Sequence, residues 1–220
     1  MIRRLSLFVL MGSLLIGQPT SICAADEVVQ VPFHNSGSSQ TNDLSITGAR
    51  LEGNKLIVSG TNFHAGAMIQ VNGRKQNTVN DLQHPSTLLI AAEAAKSIAR
   101  GEIVMVKIEN PGGAVSKEMG FFFGRVVTLE DNDKTIRLKA GQKFLLYLKN
   151  EPYSWTAIPH DEKVIQRTGD SSCIPGSQGL FEALREGRTG LIATGELPCH
   201  KATPPCMAAT LSFKLMLLVQ

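Results

Sequence analysis

The residues of this 220-residue chain that could do chemistry are few: four cysteines, five histidines and some short acidic clusters. Cys199 and Cys206 flank the segment His-Lys-Ala-Thr-Pro-Pro, which lies between two extended stretches. A closely spaced pair of this kind in an oxidising compartment reads as a disulfide clamping the neck of a hairpin. Cys173 is then the odd one, open to either partner or to a free thiol. A zinc centre would need a second pair of ligands at short, fixed spacing. His200 beside Cys199, with His160 far upstream, does not supply it, so no metal and no cofactor are expected.

Catalysis finds no better footing. His160-Asp161-Glu162 sets a base beside two carboxylates, yet consecutive residues of a loop seldom converge on one point. Glu130-Asp-Asn-Asp133 has the alternating carboxylates of a calcium loop but lacks its central Gly and distal Glu, and reads as a solvated hairpin tip. There is no Gly-x-Ser-x-Gly, no His-Glu-x-x-His and no phosphate-cradling glycine loop. The expectation is a protein that is not an enzyme and has no catalytic residues.

The oxidising compartment is itself read from the first residues. Arg3 and Arg4 precede an apolar run from Leu5 to Ile16, followed by Gly17, Pro19 and the small-residue region Cys23-Ala24-Ala25. This is the three-part plan of a secretory signal peptide, with cleavage expected after Ala25. The run is shorter than the roughly 20 residues a membrane span needs. A lipoprotein anchored at Cys23 is the rival, disfavoured by the bulky Ile22. Export implies an extracytoplasmic protein: secreted, periplasmic or envelope-associated. Loss of Arg3 and Arg4 lowers the formal charge of +3 by two, which leaves no bulk attraction to nucleic acid or to an anionic membrane.

The elements that must position any working residue are strands. Residues 26–43 are polar and Gly/Ser-rich and read as a tether. From Leu44 to Phe123, apolar segments recur at short intervals at 44–47, 55–59, 67–71, 77–82, 87–90, 102–108 and 120–123. Seven short strands with turns at this spacing predict an immunoglobulin-like sandwich. Asn72-Gly73 is the strongest hairpin signal, because both residues tolerate positive φ. Ala91 to Arg100 favours a short helical turn instead.

Leu56-Ile-Val-Ser-Gly-Thr-Asn-Phe63, Val71-Asn-Gly73, Val106-Lys-Ile-Glu-Asn-Pro-Gly-Gly113, Ser116 and Phe121-Phe-Phe123 resemble the IPT/TIG domain over about eighty residues. The resemblance implies an immunoglobulin-like spacer or binding module at 44–124.

After the short junction Gly124-Arg125, a two-residue period resumes at Ile136 and Leu138, at Phe144, Leu146 and Leu148, and from Leu211 to Val219. Each set would face a core. Trp155 is expected after a strand end, as a plug between sheets.

Over 125–220 the chain looks like the chagasin-like inhibitors of cysteine proteases. The likeness is carried by Ile136-Arg-Leu-Lys-Ala-Gly-Gln-Lys-Phe-Leu-Leu-Tyr-Leu148, Asn150-Glu-Pro-Tyr-Ser-Trp155 and Gly179-Leu-Phe-Glu-Ala-Leu-Arg-Glu-Gly-Arg-Thr-Gly190. The family presents three loops to the cleft of a papain-like protease. Asn150, Pro152, Tyr153 and Trp155 match part of the first loop, without its Thr-Thr-Gly insertion. Gly176-Ser-Gln-Gly179 is a partial counterpart of the second. Pro198 to Cys206, with His200, replaces the third.

The expected fold is therefore all-β, two tandem immunoglobulin-like β-sandwich domains after a cleaved signal peptide. Two functions follow: a non-catalytic binding protein that engages a protein or glycan through loops, or a secreted inhibitor of papain-like proteases. The candidate binding residues are Asn150, Pro152, Tyr153, Gly176, Gly179 and His200.

Overall fold

A computed structural model describes residues 43–149, 152–169 and 171–220. The expected signal peptide at 1–25, the tether as far as residue 42, and Asn150 lie outside the described residues.

The first half contains β1 (Ser45–Glu52), β2 (Lys55–Thr61), β3 (Met68–Val71), β4 (Arg74–Lys75), β5 (Thr78–Asn80), β6 (Leu88–Ala91), β7 (Ile103–Glu109) and β8 (Met119–Phe122). They form two four-stranded sheets, ordered β1-β2-β6-β5 and β4-β3-β7-β8. Leu56, Val58, Leu89 and Ala91 of one sheet meet Ile69, Val71, Val106 and Ile108 of the other in a single buried core. Alternate residues of each strand point inward, which is why the two-residue period located the strands. Asn72 and Gly73 turn β3 into β4 with φ of 48° and 75°, and Val71 pairs with Arg74.

Gly60, Asn110 and Ser116 hold this sandwich together. The α-carbon of Gly60 is packed so closely that a β-carbon would stand 2.0 Å from the Ser45 carbonyl and 2.4 Å from the Phe63 ring. Asn110, only 4% exposed, donates from Nδ2 to the Asn62 carbonyl and accepts from the His64 N–H. The buried Ser116 hydroxyl accepts the Ile108 N–H. Such buried groups must be paired, because an unpaired one costs about 1–3 kcal/mol.

Two boundaries differ from expectation. β1 runs on to Glu52, because a bulge between Ile46 and Gly48 shifts the register and breaks the alternation that would have marked it. The helical turn at 91–100 shrinks to a 3₁₀ turn at Ala94–Ser97.

The second half contains β9 (Arg125–Val127), β10 (Thr135–Leu138), β11 (Lys143–Tyr147), β12 (Ser154–Pro159), β13 (Ile165–Arg167), β14 (Ser177–Ala183), β15 (Gly187–Glu196) and β16 (Leu211–Val219). The sheets run β10-β16-β15-β12 and β13-β14-β11-β9. Phe144, Leu146, Phe181, Leu191, Phe213 and Leu217 fill the core between them. Trp155 lies within the edge strand β12 rather than after a strand end, and packs partly buried against this core. The alternation Ser-Trp-Thr-Ala-Ile-Pro is too weak in apolar content to announce a strand that buries only one flank.

The two sandwiches share a buried seam. Ile103 and Phe122 of the first cluster with Leu145, Tyr147, Ile174 and Leu180 of the second, and Phe121, Phe123 and Val126 pack against them. This covers the outer face of β11, so Phe144 to Tyr147 are buried on both faces. Each large side chain so withdrawn from water contributes roughly 1.5–3 kcal/mol.

Candidate functional site

Strand pairing brings three connections of the second sandwich to one end. Tyr147 pairs with Ser177, which puts loop 148–153 and the end of loop 168–176 side by side. Ser154 pairs with Glu196 and Gly195 with Leu211, which sets the long loop 197–210 next to the first. The loops of Pro152, Tyr153, Gly176 and His200 are thus gathered at one end of the second sandwich, although they lie far apart in sequence.

Each connection is braced differently. Loop 148–153 is anchored at its base by Gln178, the extra residue where β14 shifts register against β11. Its amide oxygen accepts the Leu148 N–H, and its amide nitrogen donates to the Lys149 carbonyl at 3.3 Å. Pro152 is exposed and Tyr153 half-buried, the latter with its ring centroid 6.0 Å from that of Trp155.

Loop 197–210 is closed by the Cys199–Cys206 disulfide. The Cys206 N–H also donates to the Cys199 carbonyl at 3.1 Å, and His200 Nε2 lies 2.9 Å from the Ala208 carbonyl. His200 therefore holds its own loop. Lys201 lies 3.7 Å from Glu196, while Pro204, Pro205 and the wholly exposed Met207 form the outer surface. Composition gave no hint of Met207; only its place in a clamped loop singles it out.

Loop 168–176 is turned only partly inward, with Gly169, Ser172 and Pro175 exposed. Ser171 and Ile174 are each 2% exposed, and the Ser177 hydroxyl bonds Ser171 at 2.8 Å. Gly176 is buried with φ of 88°, which favours glycine, and a β-carbon there would meet the Tyr147 ring at 3.1 Å. Gly179 is a buried residue of β14, paired with Leu146, and is not at the loop tip. Cys173 is not a free thiol.

Among the described residues, no group of three or more His, Cys, Asp or Glu is placed to hold a metal, and no helix is long and apolar enough to cross a membrane. Glu130 and Asp131 belong to a 3₁₀ turn in which the Asp131 carboxylate accepts the Thr128 N–H, completing a capping box. The outer face of β12 and β15 carries a shallow groove of about 450 Å³, lined by Thr156, Ile158, His160, Ile192, Thr194 and Glu196. His160 lies there, and a β-carbon on Gly190 would stand 3.5 Å from its ring.

No family model matches this chain. No curated protein matches it either. Among solved structures, it is similar to the cysteine protease inhibitor EhICP2 from Entamoeba histolytica, with 14% identity over 44% of this chain and 94% of that one, at a TM-score of 0.33. The solution structure of Amebosin is similar at 20% identity over 44% of this chain and 98% of that one, at a TM-score of 0.29. The Bacteroides ovatus mixed-linkage glucan utilization locus SGBP-B, in complex with a mixed-linkage heptasaccharide, is similar at 11% identity over 84% of this chain and 44% of that one, at a TM-score of 0.27. These likenesses are faint.

Proposed function

We propose that this chain is a non-catalytic, exported or envelope-associated binding protein that engages a protein or glycan through the loop end of its second sandwich. The observation that supports this most is the convergence of loops 148–153 and 197–210 at one end of that sandwich, each tied down at its base. Fixing the base of a loop lowers the entropy it has left to lose on binding. Exposed Pro152, Pro204, Pro205 and Met207, with Tyr153 beside them, provide apolar contact area of the kind that carries interface energy.

The test compares the exported chain with a variant carrying Pro152→Ala, Tyr153→Ala and Met207→Ser. Both serve as bait against envelope and secreted proteins of the source cell, and against a glycan array, with cross-links mapped to residues. Partners held by the wild type, lost by the variant and cross-linked to the two loops support the reading. Partners held equally by both proteins overturn it.

Inhibition of papain-like proteases is the second reading, favoured by the presence of three connections at one end of a sandwich. The burial of Ile174 in the seam speaks against it, because that part of the loop is held against the first sandwich and is not a free tip. The expected outcome of titrating papain with the full chain is no inhibition at micromolar concentration. Tight competitive inhibition weakened by Pro152→Ala or Tyr153→Ala would put this reading first.

A further inference from the structure

We propose that the first sandwich supports Leu148 and Lys149, where the chain leaves β11, through the segment Cys173 to Gln178, with Gly120 and Ile174 as the positioning residues. The support is a continuous path of close contacts. Gly120 of β8 donates its N–H to the Cys173 carbonyl at 3.2 Å. Its α-carbon is so near that loop that a β-carbon would stand 2.5 Å from the same oxygen. Ile174 follows at once and is buried in the seam with Ile103 and Phe122.

Two residues on, the missing side chain of Gly176 makes room for the start of the other loop. A β-carbon at Gly176 would lie 3.1 Å from the Tyr147 ring and 3.3 Å from the Lys149 α-carbon. Gln178 then bonds the main chain of Leu148 and Lys149. The hydrogen-bonded steps span 3.3 Å or less, Gly120 and Gly176 leave no room for a side chain, and packed interiors of low compressibility pass on a displacement rather than absorb it. Moving β8 must therefore move Cys173 and Ile174, and these bear on the base of loop 148–153.

The consequence for binding rests on the reading that this loop contacts a partner; the coupling itself does not. It changes what the first sandwich is for. Beyond being a spacer, it buries Ile174 of the middle loop in the seam and uses that loop as an internal brace.

The experiment is amide hydrogen exchange on the full chain, comparing wild type with Gly120→Ala. Gly120 does not occupy the left-handed region, so the strain of the substitution arises at the contact with Cys173 and not from the dihedral angles of residue 120. Ile69→Val, deep in the first core and away from the seam, is the control for general loss of stability. The reporters are the Leu148 amide, bonded to Gln178, and the Ile174 and Ser177 amides of the brace. The β15–β16 ladder is the internal reference.

In Gly120→Ala, reporter exchange is expected to rise about tenfold or more with the ladder unchanged, the mark of local rather than global opening. Acceleration of the brace amides with Leu148 unchanged would overturn the proposal, as would equal acceleration in Ile69→Val. If Gly120→Ala does not fold, Ile174→Val makes the same comparison with a smaller perturbation. Loosening of Leu148 without any effect of the loop variants on partner capture would leave the brace standing and remove the binding reading; the opposite result would do the reverse.

Discussion

The Trp155 ring occupies the space that a side chain on Gly195 would fill. The two residues are cross-strand partners, and a β-carbon on Gly195 would stand 3.0 Å from three atoms of the six-membered ring. The chain's one tryptophan is thereby laid on the strand next to it, with its inner edge on the core and Tyr153 beside it.

Gly195→Ala should push that ring outward. Its backbone is not in the left-handed region, so crowding alone drives the change. The lone tryptophan makes the readout clean: emission is expected to shift to the red, with a loss of about 1–3 kcal/mol in denaturant unfolding, the usual cost of overpacking. Unchanged emission would mean that the ring is not seated on Gly195.

Gln178→Leu should release the base of loop 148–153. The Leu148 N–H loses its buried acceptor, a loss of about 1–3 kcal/mol. The near-equal volume of leucine separates this from a cavity effect. Denaturant midpoints and the exchange rate of the Leu148 amide measure it.

Replacing Cys199 and Cys206 by Ser opens a short loop. The chain-entropy relation gives about 2–3 kcal/mol for a loop of this length. Calorimetry of the double variant should show that loss, and limited proteolysis should cut within 200–205, where the residues are mostly exposed. A protein equally stable and equally resistant would show that the remaining contacts of the loop, His200 to Ala208 among them, suffice.

The seam should weaken in alkali. Burial raises the Tyr147 phenol above its ordinary value near 10. The fold thus prefers the neutral form. Its contribution is complete below the unfolded value and is lost as pH rises through the folded one. Tyr147→Phe should flatten the fall in stability relative to wild type over about pH 9 to 11, measured by chemical denaturation.

Much of the architecture was legible in order of residues alone. Alternation at Phe144, Leu146 and Leu148, and from Leu211 to Val219, located strands because a half-buried strand repeats every second residue. Asn72-Gly73 announced its turn, and the spacing of Cys199 and Cys206 announced their bond. Where apolar residues were sparse, as in β12, or the period was broken by a bulge, as in β1, the pattern fell silent. The run Phe-Leu-Leu-Tyr from Phe144 did carry a sign of more than one buried face, since the residues between the alternating ones are apolar too.

What the sequence by itself determined is local: which segments extend, where they turn, and which cysteines lie close enough to join. Only the tertiary structure decided which loops face outward. Strand pairing brought the loops of Pro152, Gly176 and His200 to one end, and Ile174, two residues before Gly176, was drawn into the seam with Ile103 and Phe122. Burial of a loop depends on what packs against it from elsewhere in the chain, and no local pattern records that.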